Sequence, residues 1–178
     1  MKKAIKILIV LNLLMITFML IMAYKAYSEY VTSEDGLRVR KHPVNGEIIE
    51  VLPFGSEVFG EIENGWMRTE DGKYLCAEYL SVNNPFDEME DQGGWRGTAY
   101  AYTGSPCANG KYPTAGITIA HNSLPFWTKV YIDGVGFRTV EDRGPTWLGD
   151  AWCDLYLGDY DSCVQWGNQY RKVWVMTE

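Results

Sequence analysis

The chain has 178 residues, 47% of them hydrophobic and 14% aromatic, which suffices for one ordinary domain or two small ones and excludes a largely disordered protein. Its 16 basic and 23 acidic residues give a formal charge of −7, and that balance speaks against nucleic acid as a partner.

Lys2, Lys3 and Lys6 precede an apolar run from Ile7 to Tyr24 that only Asn12 and Thr17 interrupt. The run is roughly 18 residues long, between a secretory core and a full span, and Ala26-Tyr27-Ser28 supplies small residues at cleavage positions. A cleaved signal peptide and a retained membrane anchor over 1–28 both fit, and either places the rest of the chain outside the cytoplasm. Beyond position 28 there remain 12 basic against 23 acidic residues, a formal charge of −11, the ordinary solubility charge of an exported domain. Cys76, Cys107, Cys153 and Cys163 then reach a compartment where disulfides persist, with a bridge among the last three an open choice. With no C-x-x-C spacing and two histidines, His42 and His121, neither a metal nor another cofactor is expected.

From 29 to 82 the chain reads as short alternating strands: 36–40, 48–52, 57–62, 66–69 and 73–75. Asn45-Gly46, Asn64-Gly65 and Asp71-Gly72 separate them as turns that supply positive φ. This pattern predicts a small all-β barrel, in which Trp66 and Tyr79 are read as core. The motifs Leu37-Arg38-Val39-Arg40, Gly55-Ser56-Glu57-Val58, Asn64-Gly65-Trp66 and Tyr79-Leu80-Ser81 resemble the bacterial SH3-like domain. That resemblance implies a module that binds cell-wall peptide or glycan.

Residues 83–95 are acidic and rich in breakers, so they read as a linker. A second domain over 96–178 is again mostly β, with strands predicted at 97–102, 117–120, 128–132, 136–142 and 172–176. An Asp133-Gly134 turn and a helical turn or two within 161–168 complete it.

Two carboxylates there have the context for acid and base work. Asp142 ends an alternating strand and opens Asp142-Arg143-Gly144-Pro145, where Arg143 is placed to lower a carboxyl pKa or orient a substrate group. Asp154 lies in Cys153-Asp154-Leu155-Tyr156-Leu157, and apolar surroundings of that kind keep a carboxyl protonated as a general acid requires. Tyr100, Tyr102, Trp127 and Trp147 are candidate sugar-stacking platforms.

The spaced motifs Thr98-Ala99-Tyr100, Thr114-Ala115-Gly116, Leu124 through Ile132, Glu141-Asp142-Arg143-Gly144 and Cys153-Asp154-Leu155-Tyr156 resemble the three-aspartate (3D) domain. That family is a six-stranded double-psi β-barrel related to the A-class membrane-bound lytic transglycosylases and to rare lipoprotein A. The resemblance implies an enzyme that cleaves peptidoglycan glycan strands, with Asp154 the catalytic acid and Asp142 its partner. It further implies substrate contacts from Thr98, Tyr100, Thr114, Trp127, Lys129, Arg143 and Trp147. The family's third aspartate is absent: Ala120-His121-Asn122-Ser123 stands in its place and resembles the histidine segment of rare lipoprotein A, which makes His121 the third catalytic candidate. Trp127 replaces a family glycine. A hydrolase using two carboxylates and a non-catalytic, expansin-like wall binder are the alternatives.

Overall fold

The structure is a computed structural model that describes the backbone of residues 2–25 and 28–177 and the side chains of 6–19 and 28–177. The chain divides into two compact units, Met1–Asn84 and Pro85–Glu178.

In the first unit the backbone of α1 (Lys2–Lys25) is helical. Among the described residues no helix is long and apolar enough to cross a membrane. The side chains of 20–24, which end the apolar run, and the expected cleavage residues Ala26 and Tyr27 lie outside the described residues. Seven strands follow: β1 (Ser28–Val31), β2 (Leu37–Arg40), β3 (Ile48–Leu52), β4 (Glu57–Glu63), β5 (Trp66–Thr69), β6 (Tyr74–Cys76) and β7 (Leu80–Ser81). They form one antiparallel sheet in the order β3, β2, β6, β5, β4, β1, β7. Alternation drives Leu37 and Val39 inward, where they join Val31, Val58, Met67 and Leu75 in a core. Asn64 at φ 52° and Gly65 at φ 79° are consecutive left-handed residues, the backbone a two-residue hairpin between β4 and β5 demands. Trp66 and Tyr79 do not belong to the core cluster; Trp66 is half-buried and Tyr79 is exposed. The core is filled instead by smaller aliphatic and Met side chains, which fit between short, closely spaced strands.

The second unit is a closed six-stranded barrel of β8 (Met89–Ala101), β9 (Thr118–Ala120), β10 (Lys129–Ile132), β11 (Gly136–Asp142), β12 (Trp152–Gly158) and β13 (Gln169–Met176), with α2 (Tyr160–Trp166) between the last two. The strands run β10, β11, β9, β12, β8, β13 around the barrel, and β13 pairs with β10 to close it. Two pairs are parallel, β8 with β12 and β9 with β11; the other four contacts are antiparallel. Ile119, Val130, Ile132, Val140, Cys153, Leu155, Val173 and Val175 point inward with Trp95. Burying each large aliphatic side chain contributes about 1.5–3 kcal/mol of gross transfer free energy.

The expected linker over 83–95 needs correction. Residues 89–95 are the first half of β8, hydrogen-bonded to β13 through Met89↔Met176 and Trp95↔Arg171. Of the acids that suggested a linker, Asp87 and Glu88 lie in a short 3-10 turn before the strand and Glu90 and Asp91 are exposed on it, while Trp95 is 3% exposed in the core. Asp159 caps α2 by accepting from the Ser162 N–H at 2.8 Å, and Trp166 on that helix donates its indole N–H to the Gly97 carbonyl. All four cysteines are free thiols.

Candidate active site

The barrel assembles its polar centre from four neighbouring strands. Asp154 on β12 pairs with Thr98 on β8 and, on its other side, with Ala120 on β9, which in turn pairs with Asp142 on β11. Paired residues on adjacent strands present side chains to the same face, so Thr98, Asp154, Ala120 and Asp142 form one row. The residues alternating with them, Ile119, Cys153 and Leu155, belong to the core, so the row faces away from it. A register shift between Val140 and Asp142 makes this possible: it inserts Glu141 and brings Asp142, not Glu141, opposite Ala120. A bulge of this type re-aims a side chain from one face to the other. Glu141 instead accepts from the buried Thr118 hydroxyl.

Two strand spacings separate the backbones of Asp142 and Asp154, about 9.6 Å, with the methyl of Ala120 as floor. They line a cleft of about 220 Å³ walled by Tyr100, Thr103, Ser105, Pro106, Pro113 and Pro145 among others.

The two carboxyls have different environments. Burial pushes the Asp154 carboxyl above the ordinary carboxylate range, the nearby Asp142 charge pushes it further, and a hydrogen bond from Thr98 opposes both. The Thr98 hydroxyl donates to Asp154 Oδ1 at 2.8 Å and accepts from the Trp152 indole N–H at 3.0 Å, which fixes the direction of the hydroxyl. Asp142 is held by three donors. The backbone N–H groups of Ala108 and Arg143 both reach its Oδ1 at 2.8 Å, and the Tyr100 hydroxyl reaches its Oδ2 at 3.1 Å. Burial and the Asp142 charge raise the Tyr100 phenol well above its usual range, so it stays a donor. The same site therefore contains one carboxyl biased toward its acid form and one that accepts three hydrogen bonds.

His121 does not join them. It is 2% exposed, stacks on Trp95 with ring centroids 4.5 Å apart, and uses both ring nitrogens on the backbone. Nδ1 accepts from the Ser123 and Leu124 N–H groups, so Nε2 carries the proton and donates to the Asp150 carbonyl at 2.9 Å. Burial lowers its pKa, with the Asp150 carbonyl opposing. Its backbone carbonyl receives the Arg143 guanidinium at 2.6 Å, and that guanidinium lies 3.8 Å over the Phe126 ring. His121 thus supports the loop after Asp142 from beneath and is not part of the cleft wall.

Of the expected substrate contacts, Tyr100 and Arg143 line the cleft, and Thr98 serves Asp154 from behind. Thr114 is a turn residue whose N–H binds the Thr118 hydroxyl. Lys129 is exposed with its ammonium 5.8 Å from the Phe137 ring centroid, Trp147 is 79% exposed, and Trp127 is 50% exposed; none of these is a cleft wall.

Several participants carried no readable signal. The 107–111 turn, closed by Cys107 N–H to the Lys111 carbonyl at 2.7 Å and Gly110 N–H to the Cys107 carbonyl at 2.8 Å, delivers the Ala108 N–H to Asp142. Asn122 accepts from the Gly144 N–H and donates to the Pro145 carbonyl, pinning the opposite wall. Gly144 lies against the Trp152 ring so closely that a Cβ there would meet it at 2.2 Å. Among the described residues no group of acidic, His and Cys side chains forms a metal site.

No family model, no curated protein and no solved structure matches this chain.

Proposed function

We propose that the barrel of the second unit cleaves the glycan strands of peptidoglycan as a lytic transglycosylase. The observation that carries this reading is the row in which a proton-biased Asp154 and an Asp142 carboxyl held by three hydrogen-bond donors flank the methyl of Ala120 at the foot of an open cleft. Asp154 protonates the glycosidic oxygen between N-acetylmuramic acid and N-acetylglucosamine. The Asp142 anion stabilises the positive charge that develops on the sugar, held in place by Tyr100 and the 107–111 turn. The muramyl 6-hydroxyl then attacks its own anomeric carbon and gives its proton to the ionised Asp154, leaving a 1,6-anhydro end. Two parallel strand pairs in a closed six-strand barrel support the double-psi assignment. The short antiparallel strands of the first unit support an SH3-like wall-binding module, and the lysine-flanked apolar run supports export with or without retention at the membrane.

One observation favours a second reading. Asp142 and Asp154 stand on either side of Ala120, one strand apart from it each, an arrangement in which a water between the two carboxyls would serve an inverting hydrolase. Mass spectrometry of fragments released from purified sacculi separates the two: anhydro ends are one water lighter than the reducing ends of hydrolysis. Release of neither by the parent protein would overturn both in favour of a non-catalytic wall binder.

A further inference from the structure

Beside the cleft lies a cation–aromatic pair that the cleavage chemistry leaves unused. Trp127 is 50% exposed although its backbone sits at φ 76°, a left-handed conformation that bulky residues rarely adopt. The conformation is locked from both sides, by the Trp127 N–H to the Val140 carbonyl at 2.8 Å and the Val140 N–H to the Thr128 carbonyl at 3.0 Å. The Lys111 ammonium lies 4.2 Å over the indole, and among the described residues it forms no ion pair. Lys111 is three residues from Ala108, whose N–H holds Asp142, so its backbone lies within about 11 Å of the backbone that holds that carboxyl. Tyr112, next in sequence, is 61% exposed with its ring 6.4 Å from that of Tyr102, itself 54% exposed, and the neighbours Pro113 and Thr103 are cleft walls. The segments flanking these cleft walls are therefore aromatic and carry a cation that, among the described residues, has no acidic partner, on a domain that is acidic overall.

We infer that Trp127 and Lys111 form a subsite for muramic acid in glycan stripped of its stem peptides, where the lactyl carboxylate is free, the indole stacking on a pyranose face and the ammonium meeting that carboxylate. The inference rests on the glycan-cleavage reading and extends it to the feature that distinguishes the two alternating sugars. Uncharged sugars satisfy the indole alone, whereas the sugar bearing a carboxylate satisfies both groups. Trp127→Gly suits the left-handed backbone, so the variant retains its fold while losing the platform.

The test uses the full chain carrying Asp154→Asn, so that binding is read without turnover. Two probes are titrated by calorimetry: an uncharged N-acetylglucosamine oligomer and an alternating glycan of equal length bearing muramic carboxylates. Trp127→Gly is expected to weaken both by about tenfold. Lys111→Gln is expected to weaken the carboxylated oligomer by about threefold, with the difference fading at high salt, and to leave the uncharged one unchanged. Equal affinity of parent and both variants overturns the subsite, as does an equal effect of Lys111→Gln on both probes or no binding by the parent. Cleavage is scored separately on sacculi with native Asp154. Cleavage with unaltered binding sinks the subsite alone, and the expected binding pattern without cleavage sinks the catalytic reading alone.

Discussion

Replacing Asp154 by Asn tests the site in two independent ways. Asn keeps the shape and still accepts the Thr98 hydroxyl hydrogen bond at Oδ1, but it neither donates a proton to a leaving oxygen nor carries charge. Loss of a general acid lowers the rate by about 10²- to 10⁴-fold, or about 3–5 kcal/mol of barrier. Stability moves the other way. The folded-state pKa of Asp154 is raised, chiefly by burial, so between the unfolded value near 3.8 and the raised value the folded chain binds the extra proton. The parent therefore loses stability as pH rises through that window, at up to about 1.4 kcal/mol per pH unit, and the loss levels off above the folded pKa. The Asn variant escapes it. Thermal melting of parent and variant from pH 3.5 to 8 is expected to show a gap in Tm that opens above pH 4 in favour of the variant and then becomes constant. The alkaline fall in sacculus cleavage by the parent should occur at the pH where the gap stops growing. A gap that stays flat with pH, or a variant as active as the parent, refutes the assignment of Asp154 as a buried acid.

Tyr100→Phe removes one of the three donors on Asp142 and is expected to cost about 1.5–3 kcal/mol, as for other hydrogen bonds to charged groups, with kcat falling more than KM rises in a glycan-release assay. Gly144→Ala drives a methyl into the Trp152 ring; overpacking of about 1–3 kcal/mol should appear in denaturant titration, together with lost activity because Trp152 fixes Thr98 behind Asp154. His121 is expected to make stability fall as pH drops below about 6.5, where the unfolded chain takes up a proton that the buried ring refuses. Chemical denaturation of His121→Gln between pH 7 and 5 should lack that component, while the pH dependence of cleavage above pH 5 should be unchanged.

Strands with one buried face were legible because alternation and turn dipeptides mark them. Leu37–Arg40, Trp66–Thr69 and Gly136–Asp142 fall where the pattern predicts, and Asn64-Gly65 closes its hairpin with the backbone that dipeptide favours. The strand bearing Asp154 did not show itself as one. Trp152–Gly158 is flanked by β8 and β9 and buried over most of its length, so it reads as a short apolar run without period two. The first half of β8 was hidden for the opposite reason, since the exposed Glu90 and Asp91 followed by Gly93-Gly94 look like linker composition. At the site, the different surroundings of Asp142 and Asp154 were legible, because an acid among apolar residues and an acid at a strand end differ in sequence. The surroundings of His121 were not legible, because its partners, Trp95 and the Asp150 carbonyl, are 26 and 29 positions away.

What makes a site out of these residues is the combination of parallel pairing and one shifted register. Thr98, Ala120, Asp142 and Asp154 belong to four strands separated in sequence, and an antiparallel meander joined by short turns would pair each strand with its immediate successor. The parallel pairs β8/β12 and β9/β11 instead interleave early and late strands and set all four residues in one row. Strict alternation alone would turn Asp142 toward the same interior as Val140, where an unpaired carboxylate costs several kcal/mol. The extra residue at Glu141 turns it out, and the 107–111 turn and Tyr100 then supply its donors. The outward-facing, hydrogen-bonded Asp142 is thus a consequence of one backbone irregularity beside a small residue, Ala120, while Asp154 reaches the same row through regular pairing with β8 and β9. That irregularity is where a change of sequence would most directly convert this barrel from a candidate enzyme into an inert scaffold.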